Sequence, residues 1–315
     1  MDLKQLRALL AVSEHRSFSA AARALHTVQS NISTHVSRLE REMGVVLIDR
    51  ATNALTEEGQ VVAERARRIE AEFAALDSDV ASLRDEVVGR VRLGVIGTTA
   101  RWLVPPLLES LEASHPKVKV VVLDATTTSL IPQLISGSLE LAVVNLPIDE
   151  PDVLVELLFD EDRVLVAPLS HSLAAYDVVT LADLAEHELL LPAQGTSFRE
   201  ELDAEAAARG VELKAKAEFD GMRLLASLAF SGFGAAVLPA SASPAWLGGD
   251  YKTIPIDGLI GRSVGVARRR RGLPSAADRA VNDTLRRVVR SEAGRQHGIR
   301  PDESSRPSRT KTPTG

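Results

Sequence analysis

The sequence predicts an α/β protein with a small all-α head at its N-terminus and a two-lobed body behind it. Three observations carry this reading. The first 56 residues hold three short helix signals and a hairpin signal. The next 30 repeat apolar residues with a period of 3.5. From Gly89 onward, short strand signals alternate with helix signals.

In the head, Leu3, Leu6, Leu10 and Ser13 mark a first helix, which Leu9 and Val12 widen on its apolar side. Ser17-Phe18-Ser19 precedes an alanine-rich stretch, and Ser19 is expected to cap a short second helix. Ile32, Val36, Leu39 and Met43 fall at spacings of 4, 3 and 4, the inner face of a third helix that Gly44 stops. Residues 45–50 and 54–56 read as two short strands around Ala51-Thr52-Asn53, a small wing. Three helices, the last two in close succession, and a hairpin make a winged helix-turn-helix over residues 1–58.

A long helix is expected over residues 59–89. Val62, Ala66, Ile69, Phe73, Leu76, Val80, Leu83 and Val87 alternate spacings of 4 and 3, an a/d seam. So regular a period favours a partner helix over the protein's own surface. The seam predicts a dimer, with Val62, Ile69, Phe73, Leu76, Val80 and Leu83 as its contacts.

The body should span residues 90–294. Strands are expected at 91–96, 118–124 and 139–146, with helices at 102–114 and 130–136 between them. Pro105-Pro106 sits near the start of the first of these helices, where proline is tolerated. Further strands are expected at 163–168, 188–191, 214–219, 235–238 and 264–267. Helices are expected after Thr180 and at 198–209, 222–231 and 276–289. The alternation predicts parallel sheets in two lobes, one at about 90–162 plus 267–294 and the other at about 163–266. Such lobes, joined by crossing strands, suit a cleft for a small ligand. Residues 295–315 are poor in apolar side chains and should form a disordered basic tail.

The chain has 315 residues, 45% apolar and 25% charged, with a net charge of -6. It has no cysteine, which excludes disulfides, thiolate metal sites and cysteine nucleophiles. The first residues lack the apolar core of a secretory signal, and no apolar run approaches the roughly 20 residues of a membrane span. A cytoplasmic protein with no membrane partner is expected. Charge is uneven. Residues 1–56 carry seven Lys/Arg against five Asp/Glu, residues 91–267 carry 12 against 24, and residues 268–315 carry 13 against 5. A mildly basic head on an acidic body points to the head as the part that meets a polyanion. The Arg268–Arg271 run reads as a solvated strand end.

The outer face of the third helix carries Ser30, Ser33, Thr34, Ser37, Arg38 and Arg41, with no carboxylate expected among them. The major groove admits an α-helix, and short polar groups can approach its base edges while cations hold the backbone. Gln29 and Asn31 near the helix start can make paired bonds to adenine. Ser17 and Ser19, at the start of the second helix, and Arg50 suit phosphates. Arg41 has a helix carboxylate as its alternative partner, and His35 reads as surface. Such a stripe alone reads more readily as a merely solvated helix face; the wing and the capped helix before it, together with the spacing described next, make double-stranded DNA the expected partner.

The chain resembles the LysR-type transcriptional regulators. The resemblance rests on Phe18-Ser-Ala-Ala-Ala22, Gln29-Ser-x-Ile-Ser33, Arg38-Leu-Glu-x-Glu-x-Gly44 and Leu55-Thr-Glu-x-Gly59 in the head. More loosely, it extends to Arg90-Val-Arg-Leu-Gly-Val95, Ser136-Gly-x-Leu-Glu-Leu-Ala142 and Gly232-Phe-Gly-Ala-Ala-Val-Leu-Pro239. It implies promoter binding as a dimer or tetramer. It also implies a small-molecule effector held in a two-lobed domain similar to periplasmic binding proteins. Two departures stand out. Val28 occupies the place where the family usually has a capping Ser, leaving Thr27 as a cap one residue early. The wing is about two residues short and lacks a basic tip.

By the same resemblance, the effector should touch Thr98 and Thr99, Thr126, Thr127 and Thr128, and Gln194, Thr196 and Ser197. These hydroxyl-rich loops lie near helix N-termini that favour anions. A small carboxylate is the expected effector. Arg199 and Arg101 are placed either to neutralise it or to form surface ion pairs. Trp102 and Phe198 either wall the cleft or pack the core. No cofactor, metal site or catalytic residue is expected. Gly-x-Ser-x-Gly, a Walker loop and zinc-spaced histidines are all missing, and Gly232-Phe-Gly234 precedes a strand where a dinucleotide fingerprint must open a helix. The rival readings are an enzyme, a solute-binding protein and a chromosome-organising protein without effector. The missing motifs argue against the first, the lack of a secretory signal and the DNA-reading head against the second, and the cleft against the third.

Overall fold

The computed structural model describes residues 1–84 and 86–302. The head comprises α1 (Leu3–His15), α2 (Phe18–Ala24) and α3 (Gln29–Met43). A capping box between Asp2 and Gln5 opens α1, and Gly44 in the left-handed region ends α3. Leu6, Leu9, Val12, Ile32, Val36 and Leu39 bury the inner faces against Leu47 and Ile48. Truncating any of the larger ones to Ala should cost about 2–5 kcal/mol. The wing is reduced to a single antiparallel bridge, Ile48 to Leu55, and not the two strands expected. Its tip folds back on itself, with Asp49 accepting from Ala51 N and from the Thr52 hydroxyl.

The linker helix α4 spans Glu57–Ser82, capped by Thr56, which accepts from Gly59 N at 2.9 Å. It stops short of the expected end. Leu83 is its C-cap, and Val87 leaves the seam to pack on the core of the body. At the other end, Val62 is half-buried in the head core and Ala66 is buried there. The free stripe of the helix therefore runs from Ile69 to Leu83, all of whose large apolar members are exposed.

The first lobe holds β1 (Gly89–Val95), α5 (Gly97–Ser114), β2 (Val118–Asp124), α6 (Thr127–Ser136), β3 (Leu141–Asn145) and β4 (Val153–Glu161). The chain crosses at Asp162 into the second lobe. That lobe holds β5 (Arg163–Pro168), β6 (Val179–Thr180), α7 (Leu181–Ala185), β7 (Glu188–Pro192), α8 (Ser197–Ala208), β8 (Lys214–Phe219), α9 (Met222–Phe230), β9 (Ala236–Pro239) and β10 (Tyr251–Asp257). It returns through β11 (Arg262–Arg269), α10 (Ala276–Glu292) and β12 (Ile299–Pro301).

Each lobe has a six-stranded sheet, in the orders β12-β4-β11-β3-β1-β2 and β6-β10-β5-β9-β7-β8. The sheets are mixed, not parallel as expected. β1 pairs β2 and β3 in parallel, but β11 lies antiparallel between β3 and β4. A strand that leaves one sheet for the other returns in the opposite direction, so the crossing strands break the parallel order. The return crossing falls at residues 258–261, so all of β11 belongs to the first lobe, and the expected boundary at 266/267 is too late. β4 and β10 escape sequence reading because Glu156, Asp160 and Glu161 interrupt one and Pro255 the other. The two prolines also lie deeper than expected: α5 begins at Gly97, which places Pro105 and Pro106 mid-helix. β12 pairs with β4, so residues 299–301 are ordered where a disordered tail was expected. The rest of that tail, 303–315, lies outside the described residues.

One apolar core runs through the first lobe and on to α9 and the inner face of the second sheet. A second core, around Leu165, Leu189, Leu202 and Val237, fills the outer side of the second lobe. Among the described residues no helix is long and apolar enough to cross a membrane.

Candidate nucleic-acid interface and effector cleft

α3 is held by its inner face and presents Gln29, Ser30, Asn31, Thr34, Arg38 and Arg41 to solvent, with Ser33, Ser37 and His35 half-buried. Ser17, not Ser19, caps α2, accepting from Ala20 N at 3.3 Å. Ser19 sits in the first turn of α2 and donates to Gln29 Oε1 at 3.1 Å, which ties the two helices at the exposed face. Val28 gives α3 no side-chain cap, and Thr27 instead accepts from Asn31 Nδ2 at 2.9 Å. The Thr34 hydroxyl donates back to Ser30 O at 2.8 Å.

The face is not free of carboxylates. Arg38 pairs with Glu42 at 3.1 Å, so among the described residues it is Arg38 and not Arg41 that finds a helix carboxylate. Arg50 pairs with Glu40 at 2.7 Å, touches Ser37 Oγ at 3.3 Å and lies over the Phe18 ring. Glu40 also accepts from Leu47 N and Ile48 N at 3.0 and 3.2 Å. It fastens the wing to α3, which fixes Arg50 beside the exposed face. Glu42 gathers the N-terminal ammonium, Gln5 and Arg38, and these hold its carboxyl at about 2, against an ordinary 4.5.

Between the lobes lies a cleft of about 450 Å³. Thr127, Thr128 and Ile131 of α6 line one wall, and Ser197, Phe198 and Glu201 of α8 the other. Asn145 and Arg262 form its floor. Arg262 is 11% exposed; its Nε donates to Glu161 at 2.7 Å and its Nη2 to Thr98 Oγ1 at 3.1 Å. Glu161 is fully buried, and its second oxygen accepts from Ser241 N of the second lobe at 2.8 Å. Asn145 N donates to Thr127 Oγ1 at 3.1 Å, while Asn145 Oδ1 is buried without a partner among the described residues.

The structure sorts the expected effector residues. Thr127, Thr128 and Ser197 line the cleft, and Thr98 stands behind it through Arg262. Thr126 is taken up as the cap of α6, and Thr196 donates to Ala193 O at 2.8 Å. Gln194 is exposed on the loop before α8. Thr99 is fully enclosed, so a ligand cannot reach it. Arg199 is neither a cleft cation nor a surface ion pair. It is buried, with bonds to Asp203, Glu218 and Pro192 O at 2.7, 2.9 and 3.0 Å. Trp102 packs edge-on to Phe159 in the core, whereas Phe198 does wall the cleft. Arg101 lies near the Phe230 ring.

Sequence reading overlooked Arg262, Asn145, Glu161 and Glu201. The one local signal was Gly261 beside Arg262. A Cβ at Gly261 would lie 2.5 Å from Glu161 O, so glycine marks the close passage of the two crossing segments. The Arg268–Arg271 run is not wholly solvated either, because Arg269 turns inward over Gly137.

Residues 3–60 match the model of the bacterial regulatory helix-turn-helix protein, lysR family, and residues 84–290 match the LysR substrate binding domain. A Streptomyces viridosporus protein named "Probable hydrogen peroxide-inducible genes activator" is 38% identical over 215 residues, 67% of this chain and 69% of that one. Among solved structures, a full-length OxyR variant from Pseudomonas aeruginosa superposes with a TM-score of 0.74. It covers 98% of this chain and 99% of its own at 23% identity. Full-length CbnR complexed with its target DNA gives a TM-score of 0.68 at 26% identity, over 93% of this chain and 100% of its own.

Proposed function

The chain belongs to the LysR family of bacterial transcriptional regulators, and from that premise we propose that it binds promoter DNA as a dimer, or a pair of dimers, under the control of a small anionic effector, in the cytoplasm. The observation that carries the DNA reading is the solvent-facing polar side of α3. Gln29, Ser30, Asn31, Thr34 and Arg38 project from a helix locked by its other face, with Ser33 and Ser37 at its margins. Ser17, Ser19 and Arg50 flank it as phosphate contacts. Two such heads joined along Ile69, Phe73, Leu76, Val80 and Leu83 would reach successive turns of one duplex.

For the effector, Arg262 supports a carboxylate. It is nearly buried, it faces a cleft of ligand size, and Glu161 and Thr98 fix its plane. These bonds use Nε–H and one N–H of Nη2, which leaves the Nη1/Nη2 edge of the guanidinium as the fork to meet a carboxylate. Thr127, Thr128 and Ser197 add donors, and Asn145 Oδ1 supplies an acceptor. The similar proteins named for hydrogen peroxide do not extend that chemistry to this chain. Oxidation of a thiolate to a sulfenic acid or disulfide is one way peroxide acts on a protein, and this sequence has no cysteine to supply it.

Two measurements test the reading. Fragments of the organism's own genome should be retained by the purified chain at low salt, in a pattern that clusters upstream of genes; uniform retention of all fragments would refute sequence-specific control. Small carboxylates should raise the melting temperature, their amides should not, and Arg262→Gln should abolish the difference. Equal stabilisation by acid and amide would remove Arg262 from the role.

A further inference from the structure

Resting on the effector reading above, we propose that α6 carries the state of the cleft to the linker helix, and that Arg68 of α4 is the contact that receives it.

Among the described residues, α6 is the one element of the first lobe that both lines the cleft and hydrogen-bonds to α4. Ten residues at about 1.5 Å each make a rod of about 15 Å. At its start Thr127, Thr128, Ile131 and Pro132 line the cleft. At its end Ile135 O accepts from Arg68 Nη2 at 2.9 Å. A ligand that seats on the first turn therefore acts on one end of a short helix whose other end touches α4, with Pro132 inside it removing one hydrogen bond of the ladder between the two ends.

The receiving end is built for close contact. Gly137 ends α6 with a φ of 84°, and a Cβ there would lie 2.5 Å from Arg269 Nη1 and 3.3 Å from Arg68 Cγ. Arg92 donates to Gly137 O at 3.0 Å. Three arginines thus crowd the carbonyl end of α6, where unpaired carbonyls attract cations. Arg92 and Arg269 belong to the same lobe as α6, and Arg68 comes from the linker. The buried Nε of Arg68 and Nη1 of Arg269 have no partner among the described residues. Among the described residues one hydrogen bond joins Arg68 to α6, beside the like charge of Arg269 and near Glu140, an attachment that a small axial or angular shift of α6 would alter.

Arg68 directly precedes Ile69, the first member of the exposed stripe. Two residues beyond it, Glu70 pairs with Arg7 of the head at 2.8 Å. A displacement at Arg68 therefore reaches both the partner-facing stripe and the head. The other attachment of α4 to the body joins Ser78 and Asp79 to Ala277 N and Ala276 N at 3.1 and 2.8 Å, and none of those four residues lines the cleft.

The absence of cysteine makes a clean test possible with the full-length chain. Thr128→Cys places one thiol in the cleft. Alkylation with iodoacetate tethers a carboxylate there, and iodoacetamide tethers the neutral isostere. Hydrogen exchange is then compared between the two adducts, with and without Arg68→Ala. The carboxylate adduct should change exchange in residues 127–131 and 145–148, and also in residues 65–72 of α4. With Arg68→Ala the cleft response should remain and the α4 response should be lost; Arg68→Lys, which keeps one donor, should restore it. An α4 response of the same size without Arg68 overturns the relay, as does a cleft response with none in α4 when Arg68 is present. No response in the cleft itself overturns the anion reading, and the relay with it.

Discussion

Replacing Phe73 by Ala tests the dimer through one side chain. Phe73 lies on the exposed stripe of α4 and is 49% exposed in the single chain. A phenylalanine presents about 150–250 Å² in full burial, so roughly half of that, about 75–125 Å², remains for a partner. At about 25 cal/mol per Å² this is about 2–3 kcal/mol for each ring. A symmetric dimer uses the ring twice, which raises the figure to about 4–6 kcal/mol. With about 1.4 kcal/mol per tenfold, the dimer Kd should rise by about 10³–10⁴. These are upper figures, because Ala keeps its Cβ and side chains lose freedom on association. Sedimentation velocity over a nanomolar-to-micromolar series would measure the shift, and circular dichroism would show that the subunit remains folded. A Kd that moves less than tenfold would mean that this stripe is not the dimer seam.

Three further outcomes are expected. Arg38→Ala should weaken DNA binding and reduce the slope of log K against log salt by about 0.9, measured by fluorescence anisotropy. It should change stability little, since its pair with Glu42 is exposed. Gly59→Ala should unfold the head at lower urea, because the new Cβ would lie 2.0 Å from Leu47 O, a backbone atom of the wing. The loss should reach or exceed the ~1–3 kcal/mol typical of overpacking; an unchanged urea midpoint would count against this junction. Glu42 bears on acid stability. Its folded pKa of about 2 lies below the ordinary 4.5, so its contribution is present above pH 4.5 and is lost as pH falls toward 2. Thermal melts across that window should fall less steeply for Glu42→Gln than for the parent chain.

What the sequence determined by itself is whatever rests on local periodicity and caps. Ile32, Val36 and Leu39 at helical spacing placed the inner face of α3, and with it the outer face that meets solvent. Gly44 ended that helix, and the 3.5 period from Ile69 to Leu83 exposed the stripe of α4. Such signals lie within a few turns of one another, where the geometry of the backbone alone relates them. Tertiary structure decided the rest. Neither Arg199, after Phe198, nor Arg262, between Gly261 and Ser263, carries a motif that assigns it a partner. Helix spacing brings Asp203 to the first, but only the fold adds Glu218 and buries that arginine, and only the fold opens a cleft beside the second. Glu161 and Arg262 meet across two crossing segments 101 residues apart, and Arg68 meets Ile135 across 67. Pairings at that range are fixed by how sheets and helices pack, because neither residue's own neighbours distinguish one distant partner from another.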